Sequence, residues 1–174
     1  PFNDLQAETY EYDGSSWTNG GNMGTGRYNL AGCGTQTAAL ATGGTTANPS
    51  PPPNFIGRNL TEEYGGTSWT GGGNYPIGVT GVRTAGTQTA AVAVGGAQAG
   101  AWIIASANEY DGSSWTSTGA MSQQNESGAI SGIQTAAIYG GGYGGPAAPS
   151  SDVRNRLEIY NGSSWSTETA TLTI

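Results

Sequence analysis

Tyr110-Asp111-Gly112-Ser113-Ser114-Trp115 decides how the chain is read, because it is one of four copies of a single phrase. The others are Tyr12-Asp13-Gly14-Ser15-Ser16-Trp17, Tyr64-Gly65-Gly66-Thr67-Ser68-Trp69 and Tyr160-Asn161-Gly162-Ser163-Ser164-Trp165. A second phrase, Gly-x-Gln-Thr-Ala-Ala, begins at Gly34, Gly86 and Gly132, and Gly-Gly pairs follow at Gly43, Gly95 and Gly141. From Trp to the second phrase is always 17 residues, and from there to Gly-Gly always 9. Only the return to the next Tyr varies, at 21, 15 and 19 residues, so the periods of 52, 46 and 50 differ in one segment alone. A fixed period of this length marks a repeat architecture.

Each phrase reads as β structure. Asp13-Gly14, Gly65-Gly66, Asp111-Gly112 and Asn161-Gly162 are hairpin-turn dipeptides, which places each Tyr and Trp on opposite arms of a hairpin. Gly34-Thr35-Gln36-Thr37 and its copies form a second turn, and Ala38-Ala39-Leu40-Ala41 and its copies form the strand into Gly-Gly. No segment carries a 3.6-residue apolar period of helical length, so the expectation is all-β. The first full repeat divides into strands a (Asn29–Gly34), b (Thr37–Gly43), c (ending at Tyr64) and d (around Trp69).

Four short strands per 46–52 residues, with Gly-Gly and a Tyr…Trp pair, is the pattern of β-propeller blades. In these motifs the chain resembles the kelch family, whose repeat runs from an Arg-bearing strand through an apolar strand ending in Gly-Gly to a Tyr strand and a Trp strand. Arg27 and Arg83 stand where the kelch Arg would, and the third repeat departs from the pattern, with Ser127-Gly128-Ala129-Ile130 and no Arg. The wording Glu-Tyr-Asp-Gly-Ser-Ser-Trp-Thr and Gly-Thr-Gln-Thr-Ala-Ala is similar to the kelch-type arrays of marine bacteriophage structural and tail-fibre proteins and of bacterial surface proteins. The resemblance implies one segment over residues 1–174: an N-terminal hairpin (9–18) and three four-stranded antiparallel blades, at approximately 27–70, 79–116 and 127–168. Closed propellers usually have four to eight blades, so three and a half imply part of a larger array or an oligomer.

Composition narrows the function. The net charge is −7, from twelve acids against five Arg, with no Lys and no His. That leaves no basic footprint for a nucleic acid and little attraction to an anionic membrane. No apolar run approaches the eighteen or so residues of a membrane-spanning helix. Leu, Ile, Val and Phe number only 22 of 174, so stability is expected from sixteen aromatic rings and from backbone ladders. Cys33 is the only cysteine and reads as a small residue within a strand.

Enzyme chemistry lacks its parts, and no cofactor or metal site is expected. The kelch family includes a copper radical oxidase, galactose oxidase, whose metal site needs histidines that are missing here. Glu11, Glu63 and Glu109 each precede a repeat Tyr, and equivalent places around an axis do not face one another as a glycosidase pair must. Glu62 and Glu63, adjacent on a strand, point to opposite faces. Calcium on loop carbonyls with Asp13, Asp111 or Asp152 lacks any EF-hand or nonapeptide spacing.

In an antiparallel meander the constant a–b and c–d turns share one end, and the variable b–c loops share the other with the d–a loops. Binding belongs on variable loops of a rigid scaffold. The candidate ligand residues are therefore Phe55, Trp102 and Tyr143, as rings for sugar faces, and Arg58, Arg154 and Arg156, as forks for carboxylates. Tyr75, in a d–a loop, is a further exposed ring on this reading. Tyr12, Trp17, Tyr64, Trp69, Tyr110, Trp115, Tyr160 and Trp165 are the structural residues of the repeat, expected to pack between blades. The expected function is a non-enzymatic structural component of a virion (fibre, tail or capsid-associated) or cell surface, joined to copies of itself or to other structural subunits. The alternative is adhesion to a surface glycan or receptor through the b–c loops.

Overall fold

The computed structural model describes residues 5–46, 57–98, 101–144 and 155–172. Within them every regular element is a β-strand. The chain opens with the hairpin β1 (Tyr10–Tyr12) and β2 (Trp17–Asn19). The first sheet is a meander of β3 (Ala31–Thr35), β4 (Ala38–Thr42), β5 (Thr61–Tyr64) and β6 (Trp69–Gly71). The second sheet repeats it with β8 (Arg83–Thr87), β9 (Ala90–Val94), β12 (Ala107–Tyr110) and β13 (Trp115–Thr118). The third consists of β14 (Ala129–Ile133), β15 (Ala136–Gly140), β16 (Arg156–Tyr160) and β17 (Trp165–Thr171). All pairings within these sheets are antiparallel, and strands a to d of the first repeat fall within two residues of β3 to β6.

The repeated phrases fix the register. Tyr12↔Trp17, Tyr64↔Trp69, Tyr110↔Trp115 and Tyr160↔Trp165 are direct cross-strand partners, with ring centroids 4.9–5.0 Å apart. The turn between them spans four residues, closed by bonds such as Asp111 N to Ser114 O (3.2 Å), and is wider than a two-residue hairpin. Asp111 Oδ1 accepts from the Ser113 and Ser114 amides (2.8 and 2.7 Å), and Asn161 accepts the equivalent pair.

The sheets meet through their first strands, β3 along β8 and β8 along β14. Two backbone devices cross between repeats. Both residues of each Gly-Gly pair have positive φ, which turns the second amide away from its own sheet: Gly44 donates to Val79 O and Gly96 to Asn125 O (2.9 Å each). Five residues before each second phrase, Asn29, Gly81 and Ser127 share a left-handed backbone (φ 56°, 68° and 59°) at one position of the repeat. Gly81 donates to Asn29 O (3.0 Å) and Ser127 to Gly81 O (3.3 Å), a seam that runs from sheet to sheet.

A small extra sheet was not legible in the repeat. It orders β11 (Ala101–Ile103), β10 (Ala97–Gln98) and β7 (Val79–Thr80). Bridges Tyr28↔Thr45 and Glu126↔Tyr143 are its single-residue equivalents in the other repeats. They tie the segment after each Gly-Gly to the segment before each first strand. Trp102-Ile103 thus belongs to its own short strand, separate from strand c of that repeat.

Candidate functional site

The joint between successive sheets is the most fully built feature of the molecule, and it recurs three times. The Tyr64 hydroxyl donates to Glu11 on the preceding hairpin. Likewise Tyr110 donates to Glu63 Oε1 (2.5 Å) and Tyr160 to Glu109 Oε1 (2.8 Å). The carboxylate that precedes each Tyr is therefore the acceptor for the Tyr of the next repeat. Burial, together with this bond, pushes the Tyr110 hydroxyl up to about 12.

Indole and amide groups complete the joint. Trp69 Nε1 donates to Thr9 Oγ1 (2.8 Å) and Trp115 Nε1 to Thr61 Oγ1 (2.9 Å). The Gln of the second phrase reaches back into the preceding sheet. Gln88 Nε2 donates to Ala39 O and Tyr64 O (3.1 and 2.7 Å), and Gln134 Nε2 to Ala91 O and Tyr110 O (3.4 and 2.7 Å). Sequence reasoning took this phrase as a turn and missed the tie; the signal was a Gln present in all three copies at a place where turn chemistry does not demand one.

Apolar packing fills the rest. Leu40 and Cys33 of the first sheet meet Ala91, Tyr110 and Trp115 of the second. Val92, Val94 and Ala107 of the second meet Met121, Tyr139, Tyr160 and Trp165 around the third. Burial pushes the Cys33 thiol up, so it sits there as a protonated, apolar group.

Both ends of the stack carry half a joint. At the first end, the hairpin exposes Tyr10, Tyr12 and Trp17, the last at 68% of its surface, whereas Trp165 at the equivalent place is 8% exposed. At the other end, Ile138 is 42% exposed, whereas Leu40 and Val92 at its place are 1% and 0% exposed. Its cross-strand partner Ile159 is exposed as well, and it stands where Glu11, Glu63 and Glu109 stand.

Of the loop residues singled out from the sequence, Arg58, Tyr143 and Arg156 lie among the described residues, each with partners of its own. Arg58 is exposed, with Nε on Thr46 Oγ1 (2.6 Å), and its backbone bridges to Val79. Tyr143 is half-buried and exchanges both backbone bonds with Glu126 (2.9 Å each). Arg156 opens β16 and donates to Thr167 Oγ1 (3.0 Å). Trp102 lies in β11, with its side chain outside the described residues, as are Phe55, Arg154 and Asp152 altogether.

Tyr75 is a correction: it is buried at 1% exposure, edge-on to Trp115, and accepts from Asn108 Nδ2 (2.7 Å). It fills the place held by Met23 and Met121 in the other repeats, which is why an aromatic in a loop segment is not a surface platform.

Arg27 and Arg83 also differ from expectation, because they do not occupy one place. Arg27 precedes β3 and is buried, donating to Gly43 O (2.7 Å), Leu60 O (3.0 Å) and Glu62 Oε1 (2.9 Å). Arg83 is the first residue of β8. The carboxylates of Asp13 and Asp111 are filled by serine donors of their own turns, which holds Asp13 far below the usual carboxylate range and Asp111 at about 2. Among the described residues no three His, Cys, Asp or Glu side chains cluster as metal ligands. No protein-family model matches the chain, and no curated protein matches it.

Proposed function

We propose that this protein is a non-enzymatic structural component that works by joining sheets end to end, on a virion or a cell surface. The observation that carries the reading is the pair of unmet half-joints. Tyr12 and Trp17 are exposed at one end and Ile138 and Ile159 at the other, at places that are buried or half-buried elsewhere in the chain. Among the described residues the β1–β2 hairpin has two strands where each later repeat has four, and its edge there is open to pairing. The stacking of first strands β3, β8 and β14 supports a kelch-like propeller arc, to be completed by further repeats, by copies of this chain or by other structural subunits.

Native mass by light scattering or mass photometry tests this. The expected result is a discrete or polymeric multiple of 17.5 kDa at micromolar concentration. A well-folded monomer at all concentrations overturns it.

A further inference from the structure

The two ends of the stack have changed in the same direction. Inside the chain, each sheet offers the next one a Glu for its Tyr hydroxyl, and at two of the three joints a Thr for its Trp indole. The outward face of the third sheet offers neither. Ile159 stands in the place of Glu11, Glu63 and Glu109, and Leu157 in that of Thr9, Thr61 and Ala107. Ile138 pairs with Ile159 across the strands, so all three side chains lie on one face. Replacing an acid by isoleucine on a face left to water gains nothing, and an exposed apolar patch of this kind marks a contact.

The other end carries the matching change. Tyr10 stands where Glu62, Asn108 and Glu158 are buried, and it is 55% exposed. On the same face is Tyr12, whose hydroxyl donates to Gly14 O within its own turn (2.9 Å) and so asks for no Glu across a joint. Trp17 asks for no Thr either, since Trp165 packs with Ala107 while its indole nitrogen has no partner. The face without acceptors therefore fits the face that needs none. They are also the two halves of one joint. Leu40 meets Tyr110 and Trp115 inside the chain, and Ile138, Tyr12 and Trp17 hold those places at the ends.

We propose that the Ile138–Ile159 face binds the β1–β2 hairpin of a second copy of this chain, in a head-to-tail junction that continues the internal joints with an apolar filling. This rests on the reading of the chain as an assembling component and names that component's partner. A neighbour bearing the ordinary repeat Tyr would bring to Ile159 a hydroxyl with no acceptor, which disfavours such a repeat there. Because the two faces differ, the contact passes from copy to copy and ends in a ring or a filament. The side chains named for it are uncharged and each copy carries −7, so salt should strengthen the contact by screening repulsion.

Sedimentation of the whole chain and its variants tests the junction. The parent is expected to run as a multiple of 17.5 kDa, more so in high salt. Trp17→Ala and Ile138→Glu should each weaken association by about tenfold or more, the first by removing an anchor and the second by burying an unpaired charge. Mixed in equal amounts they should recover a dimer, because one keeps an intact end face and the other an intact hairpin. If Ile138→Glu loses the strand signal in circular dichroism, Ile159→Lys decides. That place already carries an acid in the other repeats, and a Lys cannot accept from Tyr12. Association insensitive to Ile138→Glu and Ile159→Lys, a mixture that stays monomeric, or weakening by salt would overturn the head-to-tail contact and leave the assembly reading standing. A parent chain that is monomeric at every concentration overturns both.

Discussion

Between the first and second sheets, Thr42 and Thr61 are buried and share a hydroxyl bond (3.0 Å), and Thr61 also receives the Trp115 indole. Between the second and third sheets the same two places hold Val94 and Ala107, and the indole nitrogen of Trp165 is buried without a partner. The apolar cluster around Val94 is correspondingly the larger, adding Met121 and Tyr139. A second exchange follows the same logic. Glu62 and Glu158 accept the backbone amides of Gly24 and Ser122 (2.6 and 2.8 Å), whereas in the middle repeat Asn108 serves Tyr75 instead. One backbone joint thus tolerates either a polar or an apolar filling, provided both partners change together. Trp165 marks where that exchange is incomplete, since its nitrogen kept its place while the threonine was lost.

The largest contrast lies between equivalent tryptophans. Trp165→Ala removes a buried indole and should destabilise by about 3–5 kcal/mol in urea unfolding, while Trp17→Ala should stay within about 0.5 kcal/mol. Comparable losses at both positions in the isolated chain would mean that Trp17 is covered in solution. Next comes the buried ion pair. Glu62→Ala strands Arg27 among main-chain carbonyls and is expected to cost about 3 kcal/mol. A cost below one-third of that would show that the guanidinium reaches water.

Smaller effects sharpen the comparison itself. Tyr110→Phe should lose about 1 kcal/mol with its bond to Glu63, and Tyr12→Phe almost none, because Tyr12 donates only to Gly14 O in its own turn (2.9 Å). Ala107→Thr should regain about 1 kcal/mol by giving Trp165 Nε1 the acceptor found in the other joints. Destabilisation instead would mean that the apolar filling has no room for a hydroxyl. The smallest effect is at the turns. The Ser114 and Ser113 donors hold Asp111 at about 2, below its ordinary value of 3.8, so its contribution is full above the ordinary value and fades as pH falls toward 2. Asp111→Asn, which copies Asn161, should leave thermal stability at pH 7 unchanged and flatten the melting profile between pH 4 and 2.

Strand order and register were legible because Tyr, Trp and the turn residues are local signals, each fixed by a hairpin of a few residues. The three-stranded sheet of β7, β10 and β11 was not, since strands of two or three residues carry no periodicity. The Tyr–Glu and Gln–carbonyl ties escaped notice because their partners lie about one repeat away, and a phrase read singly does not reveal them. The alternation of Glu11, Glu63 and Glu109 with Ile159 held that information: a residue kept three times and then changed marks the end of a chain of bonds. At the loop end the sequence named rings and arginines by location alone. Burial of Tyr75 shows how little location says about which way a ring faces.

The seam through Asn29, Gly81 and Ser127 has a kinetic consequence. Within each four-stranded sheet the pairings join strands of one repeat, with β10 and β11 inserted between β9 and β12, so those contacts close shorter loops than any between repeats and form early. The seam, by contrast, links positions one full repeat apart and can close only after two neighbouring sheets exist. Folding should therefore advance as a succession of nearly independent steps, each sheet docking on the last. A fault in one repeat would slow its two junctions and leave more distant sheets free to form.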